Sequence, residues 1–250
     1  MDELESSELG THEYWKNAYA TEIENFQNHG DPGDVWFGED SAFRIIRWIY
    51  PGVMGVIPLS SLDLCLTIVI KLYPVLTEPR LCDLSRVKGW IQPYLFTNFD
   101  KGCGNGYTLI ELAKEGFTNL LGIDYCEEAI TLAKKLAEKE HQEINYKVFD
   151  ITKEDPSELG KFNIIHDKGT YDSISLNPIE PKTQRELYIE HVENMLDNCG
   201  YFIITSCNWT ERELVEQFSI KLKLHCVIPT PQFKFGGKVG SVVSSLVFKK

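Results

Sequence analysis

Apolar side chains recur with two spacings along this chain, and these spacings predict alternating helices and strands. Apolar residues three and four positions apart predict amphipathic helices, whereas short continuous aliphatic runs predict buried strands. The predicted helices are 11–28, 40–50, 107–115, 127–139, 182–197 and 210–218. The predicted strands are 94–99, 120–123, 145–149, 162–166 and 200–206, followed by two strands around 229–240. This alternation predicts a single α/β domain over 11–250, with a doubly wound, mostly parallel sheet.

A glycine-rich stretch, FDKGCGNG, links the strand 94–99 to the helix 107–115. Asp100 precedes glycines at 102, 104 and 106, and the next strand ends in Asp124. Glycines at this position let the chain turn tightly and let a ligand approach the backbone, although glycine clusters also serve only as turns. The order of strand, glycine loop, helix, strand and acid predicts a nucleotide-binding half-domain. The G-x-G-x-G spacing departs from the G-x-G-x-x-G of dinucleotide enzymes and disfavours a nicotinamide oxidoreductase.

Two regions do not follow the regular pattern. Residues 1–10 are acidic and polar, which predicts a disordered tail without a targeting peptide. Residues 51–93 form an atypical insertion with several prolines, and their apolar run 64–72 is too short to span a bilayer. The junction between the next predicted strand, 94–99, and the glycine turn is unusual too, because the turn contains Lys101.

Charge and cysteine content exclude several classes of function. The net charge of −12 disfavours nucleic-acid binding, which needs clustered Lys and Arg, and favours a basic partner or simple solubility. The seven cysteines form no C-x-x-C pair and no zinc-like cluster, so no metal is expected. They are typical of a reduced cytoplasmic protein, and the nucleus is a second expected location.

Three further stretches contain candidate functional residues. Trp36 begins a Trp-Phe-Gly tripeptide, for which two roles are open. Its aromatic rings form a lid over an adenine or a cationic substrate, or they pack the N-terminal helices on the sheet. Asp150 ends the predicted strand 145–149, where it reads an adenine edge or forms an ordinary turn. Asp167 and the pair Asn208 and Trp209 also come directly after predicted strands.

The glycine pattern resembles motif I of class I S-adenosylmethionine methyltransferases. Five strings, GTHEYWKNAY, VWFGED, DKGTYDSISLNP, SCNWT and PTPQFKFGGKVG, closely resemble a eukaryotic family of lysine methyltransferases that act on elongation factor 1-alpha. The resemblance covers residues 9–50 and 99–250. It implies a Rossmann-like, three-layer α/β/α fold whose seven-stranded sheet has an antiparallel last strand, preceded by an N-terminal helical lid over 11–50. The insertion 51–93 and Lys101 depart from the family pattern.

The family implies that a methyl group passes from S-adenosylmethionine to a lysine amine of elongation factor 1-alpha, leaving S-adenosylhomocysteine. Asp167, Thr170, Asn208 and Trp209 correspond to the catalytic region, with Asp167 orienting the amine and Trp209 facing a methylated ammonium. The implied cofactor-binding residues are Trp36, Asp100, Gly102, Cys103, Gly104, Asn105, Gly106, Asp124, Tyr125, Asp150, Ile151 and Asp167. The expected enzyme is a monomer that needs neither metal, nucleic acid nor membrane.

Two alternatives to this function remain. The first is a small-molecule methyltransferase, which would share the cofactor half of the domain. The second is a non-catalytic interaction protein, because an alternative exon or a mispredicted gene would explain 51–93 and would leave a catalytically impaired variant.

Overall fold

A computed structural model describes residues 3–49, 96–99, 103–235 and 238–250. The predicted insertion 51–93 lies outside these residues. The helices are α1 His12–His29, α2 Glu39–Ile49, α3 Tyr107–Lys114, α4 Glu127–Lys139, α5 Thr170–Ser175, α6 Pro181–Met195 and α7 Glu211–Phe218. The strands are β1 Phe96–Phe99, β2 Leu120–Asp124, β3 Asn145–Val148, β4 Phe162–Lys168, β5 Leu196–Ser206, β6 Lys223–Ile228, β7 Gln232–Phe235, β8 Lys238–Ser241 and β9 Ser244–Lys249. Glu8–Gly10 and Pro156–Leu159 form short 3-10 helices.

A seven-stranded sheet in the order β3-β2-β1-β4-β5-β9-β6 forms the centre of the molecule. The strands β1 to β5 pair in parallel, and β9 runs antiparallel to both β5 and β6. The predicted doubly wound sheet with an antiparallel last strand is therefore confirmed. The predicted closing hairpin is more elaborate, because β7 and β8 form a separate two-stranded ribbon between β6 and β9.

Helices cover both faces of the sheet and give three layers. Alternation along β5 shows the division: Phe202 and Ile204 face a cluster with α5, α6 and α7, whereas Ile203 faces a cluster with α2, α3 and α4. Helix α1 packs on the outside of α4 through Trp15 and Tyr19. No described helix combines the length and apolar composition that crossing a bilayer requires.

The N-terminal residues differ from the predicted disordered tail. The Ser7 amide donates to the Leu176 carbonyl at 3.0 Å, and the Trp15 indole N–H donates to the Leu9 carbonyl at 2.8 Å. Glu3 forms an ion pair with the buried Arg185. These contacts, two of which reach residues 176 and 185, give residues 3–10 a defined place on the domain, which their acidic composition does not reveal.

Candidate active site

The carboxyl ends of β1, β2 and β4 meet where the strand order reverses on either side of β1, which is where open α/β sheets bind ligands. The described part of the glycine loop, 103–106, lies at this edge. The Cys103 amide donates to the Ile123 carbonyl at 2.7 Å, and the Gly104 amide donates to Asp124 Oδ2 at 3.2 Å. The loop is thus attached to the end of β2. Asp100 and Gly102, both predicted to bind the cofactor, lie outside the described residues.

Gly106 occupies a position that only glycine fits. Its φ of +74° is left-handed, and a Cβ there would lie 2.5 Å from the Tyr146 hydroxyl. Because Gly106 directly precedes α3, it lets the chain leave the loop and enter the helix under the β3 side chains. The predicted tight turn is therefore confirmed at Gly106.

Asp124 is buried at the wall of a cavity that is also lined by the turn after β3, by α5 and by the N-terminal segment. Its Oδ1 accepts from the Cys126 amide at 2.8 Å, and its Oδ2 accepts from Gly104, so backbone on both sides fixes the carboxylate. Tyr125, Asp150 and Ile151 line the same cavity, together with Thr170. The structure therefore brings five predicted site residues together.

Local contacts occupy the Asp150 carboxylate. Oδ1 accepts from both the amide and the hydroxyl of Thr152, and Lys153 Nζ lies 2.7 Å from Oδ2. Burial alone would raise the pKa of Asp150, but hydrogen bonds from Lys153 and Thr152 outweigh it and lower that pKa. The carboxylate thus builds the turn after β3, and the turn presents Ile151 to the cavity.

The N-terminal segment closes one side of this cavity. Gly10 and His12 line it, and the His12 ring packs edge-on against Tyr125 at 5.0 Å. The Ser173 hydroxyl donates to the Leu9 carbonyl at 2.9 Å, and Asn177 Nδ2 donates to the Gly10 carbonyl at 3.0 Å. Sequence reasoning did not single out His12 and Ser173 as site residues, because no local signal joins segments more than 160 positions apart.

Asn105 and Trp36 contact the N-terminal segment and do not line the described cavity. Asn105 Nδ2 donates to the Pro32 and Asp34 carbonyls at 3.1 and 3.3 Å. The Trp36 ring packs edge-on against Trp15 at 5.1 Å, and its carbonyl accepts from Lys168 Nζ. Of the two readings left open for Trp36, the structure favours packing of the N-terminal helices.

Asp167, predicted to orient the incoming amine, takes part in a network of internal hydrogen bonds. The residue is 0% exposed, and its carboxylate accepts from the Thr170 amide at 3.0 Å, the Tyr171 amide at 3.1 Å and the Tyr188 hydroxyl. Burial and the Asp167 charge raise the pKa of Tyr188 well above its ordinary value. The carboxylate therefore fixes the start of α5, and through it Thr170, from inside the core.

Asn208 and Trp209 come directly after β5 and occupy different environments. Asn208 is half-buried and lines a groove with residues 240–244. The Trp209 ring lies in the core, where Nε1 donates to Ser175 Oγ at 3.1 Å and the Arg185 guanidinium lies 5.3 Å from the ring. A cation of the protein itself thus takes the contact predicted for a methylated ammonium.

Asp172 supports the turn that contains Asn208. Its Oδ1 accepts from the Ser206 hydroxyl at 2.5 Å, and its Oδ2 accepts from the Cys207 amide at 2.8 Å. Burial raises the pKa of Asp172, although these donors oppose the shift. The acid therefore connects α5 to the end of β5.

Comparisons with known proteins decide the family. A family profile described as "Methyltransferase domain" matches residues 97–237. The chain is 39% identical over 251 residues to EEF1A lysine methyltransferase 2 of Mus musculus, covering all of this chain and 86% of the relative. It is 33% identical to protein-lysine N-methyltransferase efm4 of Schizosaccharomyces pombe, covering all of this chain and 97% of the relative. The chain belongs to this family of protein-lysine N-methyltransferases.

Solved structures support the same fold for this methyltransferase. A TehB-like S-adenosylmethionine-dependent methyltransferase from Corynebacterium glutamicum superposes with a TM-score of 0.52 at 18% identity, covering 94% of this chain and 97% of that one. The N-methyltransferase NodS from Bradyrhizobium japonicum, solved with S-adenosylhomocysteine, gives a TM-score of 0.50 at 15% identity over 65% and 80% of the two chains. The predicted class I fold is confirmed.

The site of this methyltransferase fits the S-adenosylmethionine of its family. Asp124 supplies a fixed carboxylate that can accept two vicinal ribose hydroxyls. The Thr170 hydroxyl is buried at the cavity wall without a partner among the described residues, which leaves it available to a ligand. Gly106 keeps side-chain bulk away from the loop. Within 3–49, 96–99, 103–235 and 238–250, no group of three His, Cys, Asp or Glu is arranged to hold a metal ion.

Proposed function

We propose that this enzyme methylates a lysine ε-amino group of translation elongation factor 1-alpha. The relatives from mouse, human and zebrafish, at 36–39% identity, are named for that substrate. The observation that carries the proposal is the cavity that Asp124 borders. Because the chain resembles these methyltransferases over its full length, we infer that this cavity binds the cofactor.

Asp124, Tyr125 and Ile151 would hold the adenosyl end of the cofactor. When bound, S-adenosylmethionine supplies an electrophilic methyl group. The chain's own residues then contribute orientation and exclusion of water, and alignment at near-attack distance is the main source of rate. A free lysine has a pKa of about 10.4, so the partial desolvation of the amine on entering the site would favour loss of its proton.

Asp167 acts in this proposal as a positioning residue. The Thr170 and Tyr171 amides, the first two of α5, donate to its carboxylate, and Tyr188 on α6 donates a further hydrogen bond. The Thr170 hydroxyl, rather than the Asp167 carboxylate, then faces the cofactor. Asn208, on the rim of its groove, is the second residue of this set that a substrate can reach.

Charge is consistent with a protein substrate of opposite sign. The net charge of −12 attracts a basic partner by long-range steering. We extend the proposal to a monomeric, metal-independent enzyme of the cytoplasm, with the nucleus as a second location. Neither nucleic acid nor a membrane takes part in it.

The test is mass spectrometry of elongation factor 1-alpha incubated with the purified enzyme and S-adenosylmethionine. We expect a mass increase of one or more methyl groups on a lysine, and a much smaller increase with an Asp124→Asn enzyme at a cofactor concentration near the wild-type Kd. Methylation of small amines with an unmodified elongation factor would favour a small-molecule methyltransferase. Cofactor binding without any transfer would favour the non-catalytic interaction protein.

A further inference from the structure

Phe37 has an unfavourable backbone conformation for a bulky residue. Its φ is +60°, in the left-handed region, and the adjacent Gly38 has φ +75°. The Gly38 amide donates to the Val35 carbonyl at 2.8 Å and closes the turn. Non-glycine residues with such angles cluster at functional sites, because the surrounding structure must hold them in place.

The Phe37 ring does not pack in an apolar core of the described residues, so core packing does not offset this strain. It is half-buried and is absent from the three apolar clusters of the described residues, whereas its neighbour Trp36 packs against the cluster on α1 and α4. The ring centroid lies 6.1 Å from that of Trp36. An aromatic side chain held in a strained turn and left partly exposed is available to contact another molecule.

Lys168 fixes this turn above the carboxyl end of β4. Its Nζ donates to the Trp36 carbonyl at 3.1 Å and lies 5.9 Å from the centre of the Phe37 ring. Lys168 is 2% exposed and lies two residues before Thr170, which lines the cofactor cavity. The Phe37 turn is therefore held at the edge of the sheet where the methyl group would be transferred.

A similar clamp elsewhere on the lid shows what a purely structural contact looks like. Lys139 Nζ donates to the Gly30 carbonyl at 3.1 Å and lies 5.1 Å from the centre of the Phe26 ring. Phe26 lies within α1 and packs against the α1–α4 cluster. This second clamp has the same chemistry without the strain, and its lysine is on α4 rather than at a strand end of the site.

We propose that Phe37 forms one wall of the entrance that admits the substrate lysine, and that Lys168 is the positioning residue that holds this wall. The inference rests on the proposed function. The Phe37 ring packs against the methylene chain of the incoming lysine.

The experiment compares Phe37→Gly with Phe26→Ala in the full-length enzyme. Glycine accepts the left-handed conformation, so the melting temperature of Phe37→Gly should equal or exceed that of the wild type. We expect kcat/KM for elongation factor 1-alpha to fall by about tenfold or more, with the calorimetric Kd for S-adenosylmethionine within about twofold. Phe26→Ala should lower the melting temperature and leave kcat/KM unchanged.

The outcomes separate this inference from the proposed function. If Phe37→Gly retains wild-type kcat/KM, or loses cofactor affinity by the same factor as activity, Phe37 does not line the lysine entrance. If the wild-type enzyme methylates no lysine of elongation factor 1-alpha or of a denatured lysine-rich protein, the proposed function fails and the inference fails with it. A wild-type enzyme that is active, with a stable and impaired Phe37→Gly variant, supports both.

Discussion

Asp124 and Asp167 occupy equivalent positions in the sheet but different environments. Each lies at or next to the carboxyl end of a parallel strand, and they are 1% and 0% exposed. Asp124 takes two backbone amides and borders the cavity that we propose for the cofactor. Asp167 takes two backbone amides and the Tyr188 hydroxyl, and does not border that cavity. A strand-end acid is therefore not by itself a catalytic residue.

The difference comes from the residues directly after each acid along the chain. A loop turns Asp124 toward β3 before α4 begins at Glu127. Gly169, with φ +95°, instead starts α5 at once after β4, so the first amides of α5 point back at the Asp167 carboxylate. Helix N-termini attract anions through these unpaired amides. Asp167 fills that role within the protein.

The largest effect that tests this comparison is a loss of stability in Asp167→Asn. The amide group of Asn sets N–H groups against the Tyr171 amide and the Tyr188 hydroxyl, leaving buried donors unpaired. We expect the free energy of unfolding to fall by about 3 kcal/mol in urea denaturation. The turnover of the folded molecules should fall by a factor that corresponds to less than this loss of unfolding free energy.

Tyr188→Phe serves as the partner variant for Asp167→Asn. It removes one donor from the same carboxylate and should cost about 1–2 kcal/mol. The double variant should be less destabilised than the sum of the two single variants, because they remove a shared interaction. An Asp167→Asn enzyme with wild-type stability and almost no turnover would instead restore the catalytic role implied by the family resemblance.

The next effect is on cofactor affinity. Asp124→Asn retains the shape of the side chain but removes the charge that strengthens hydrogen bonds from ribose hydroxyls. We expect the calorimetric Kd for S-adenosylmethionine to rise roughly 30-fold, equivalent to about 2 kcal/mol. Asp155→Asn, at the exposed cap of the Pro156–Leu159 helix, is the matched control and should leave Kd unchanged. Equal affinity of the Asp124→Asn and wild-type enzymes would remove Asp124 from the binding site.

The sequence predicts the elements of this site better than the directions of its side chains. The helix predicted at 107–115 is Tyr107–Lys114, and Asp124 ends its strand as predicted, because local periodicity and glycine placement determine both. The Asp167 carboxylate accepts from the Tyr188 hydroxyl, 21 residues away. Arg185 forms an ion pair with Glu3, about 180 positions away, and also packs over the Trp209 ring. Such contacts depend on how helices dock on the sheet, which no local pattern encodes.

A third acid, Glu22 on α1, extends the comparison to a carboxylate with too few donors. Among the described residues, only the Asp34 amide donates a hydrogen bond to the Glu22 carboxylate, at 3.4 Å. The carboxylate also faces the negative charges of Asp34 and Asp31. Burial, opposed by the Asp34 amide and reinforced by both charges, raises the pKa of Glu22 from 4.5 to about 7. Asp124 and Asp167, with two and three donors, lack this deficit of hydrogen bonds.

Glu22→Gln should therefore change how stability depends on pH. Between pH 4.5 and 7 the folded protein holds a proton on Glu22 that the unfolded chain has released, so stability falls as pH rises through this window. The variant lacks that loss, and its free energy of unfolding relative to wild type should increase from pH 5 to pH 8, by at most about 1 kcal/mol because the side chain is only half-buried. Glu24→Gln, exposed on the same helix, is the control and should show a constant difference across that range in urea denaturation. A constant difference for Glu22→Gln as well would mean that the carboxylate is solvated like an ordinary surface acid, and that Asp34 is not held against it.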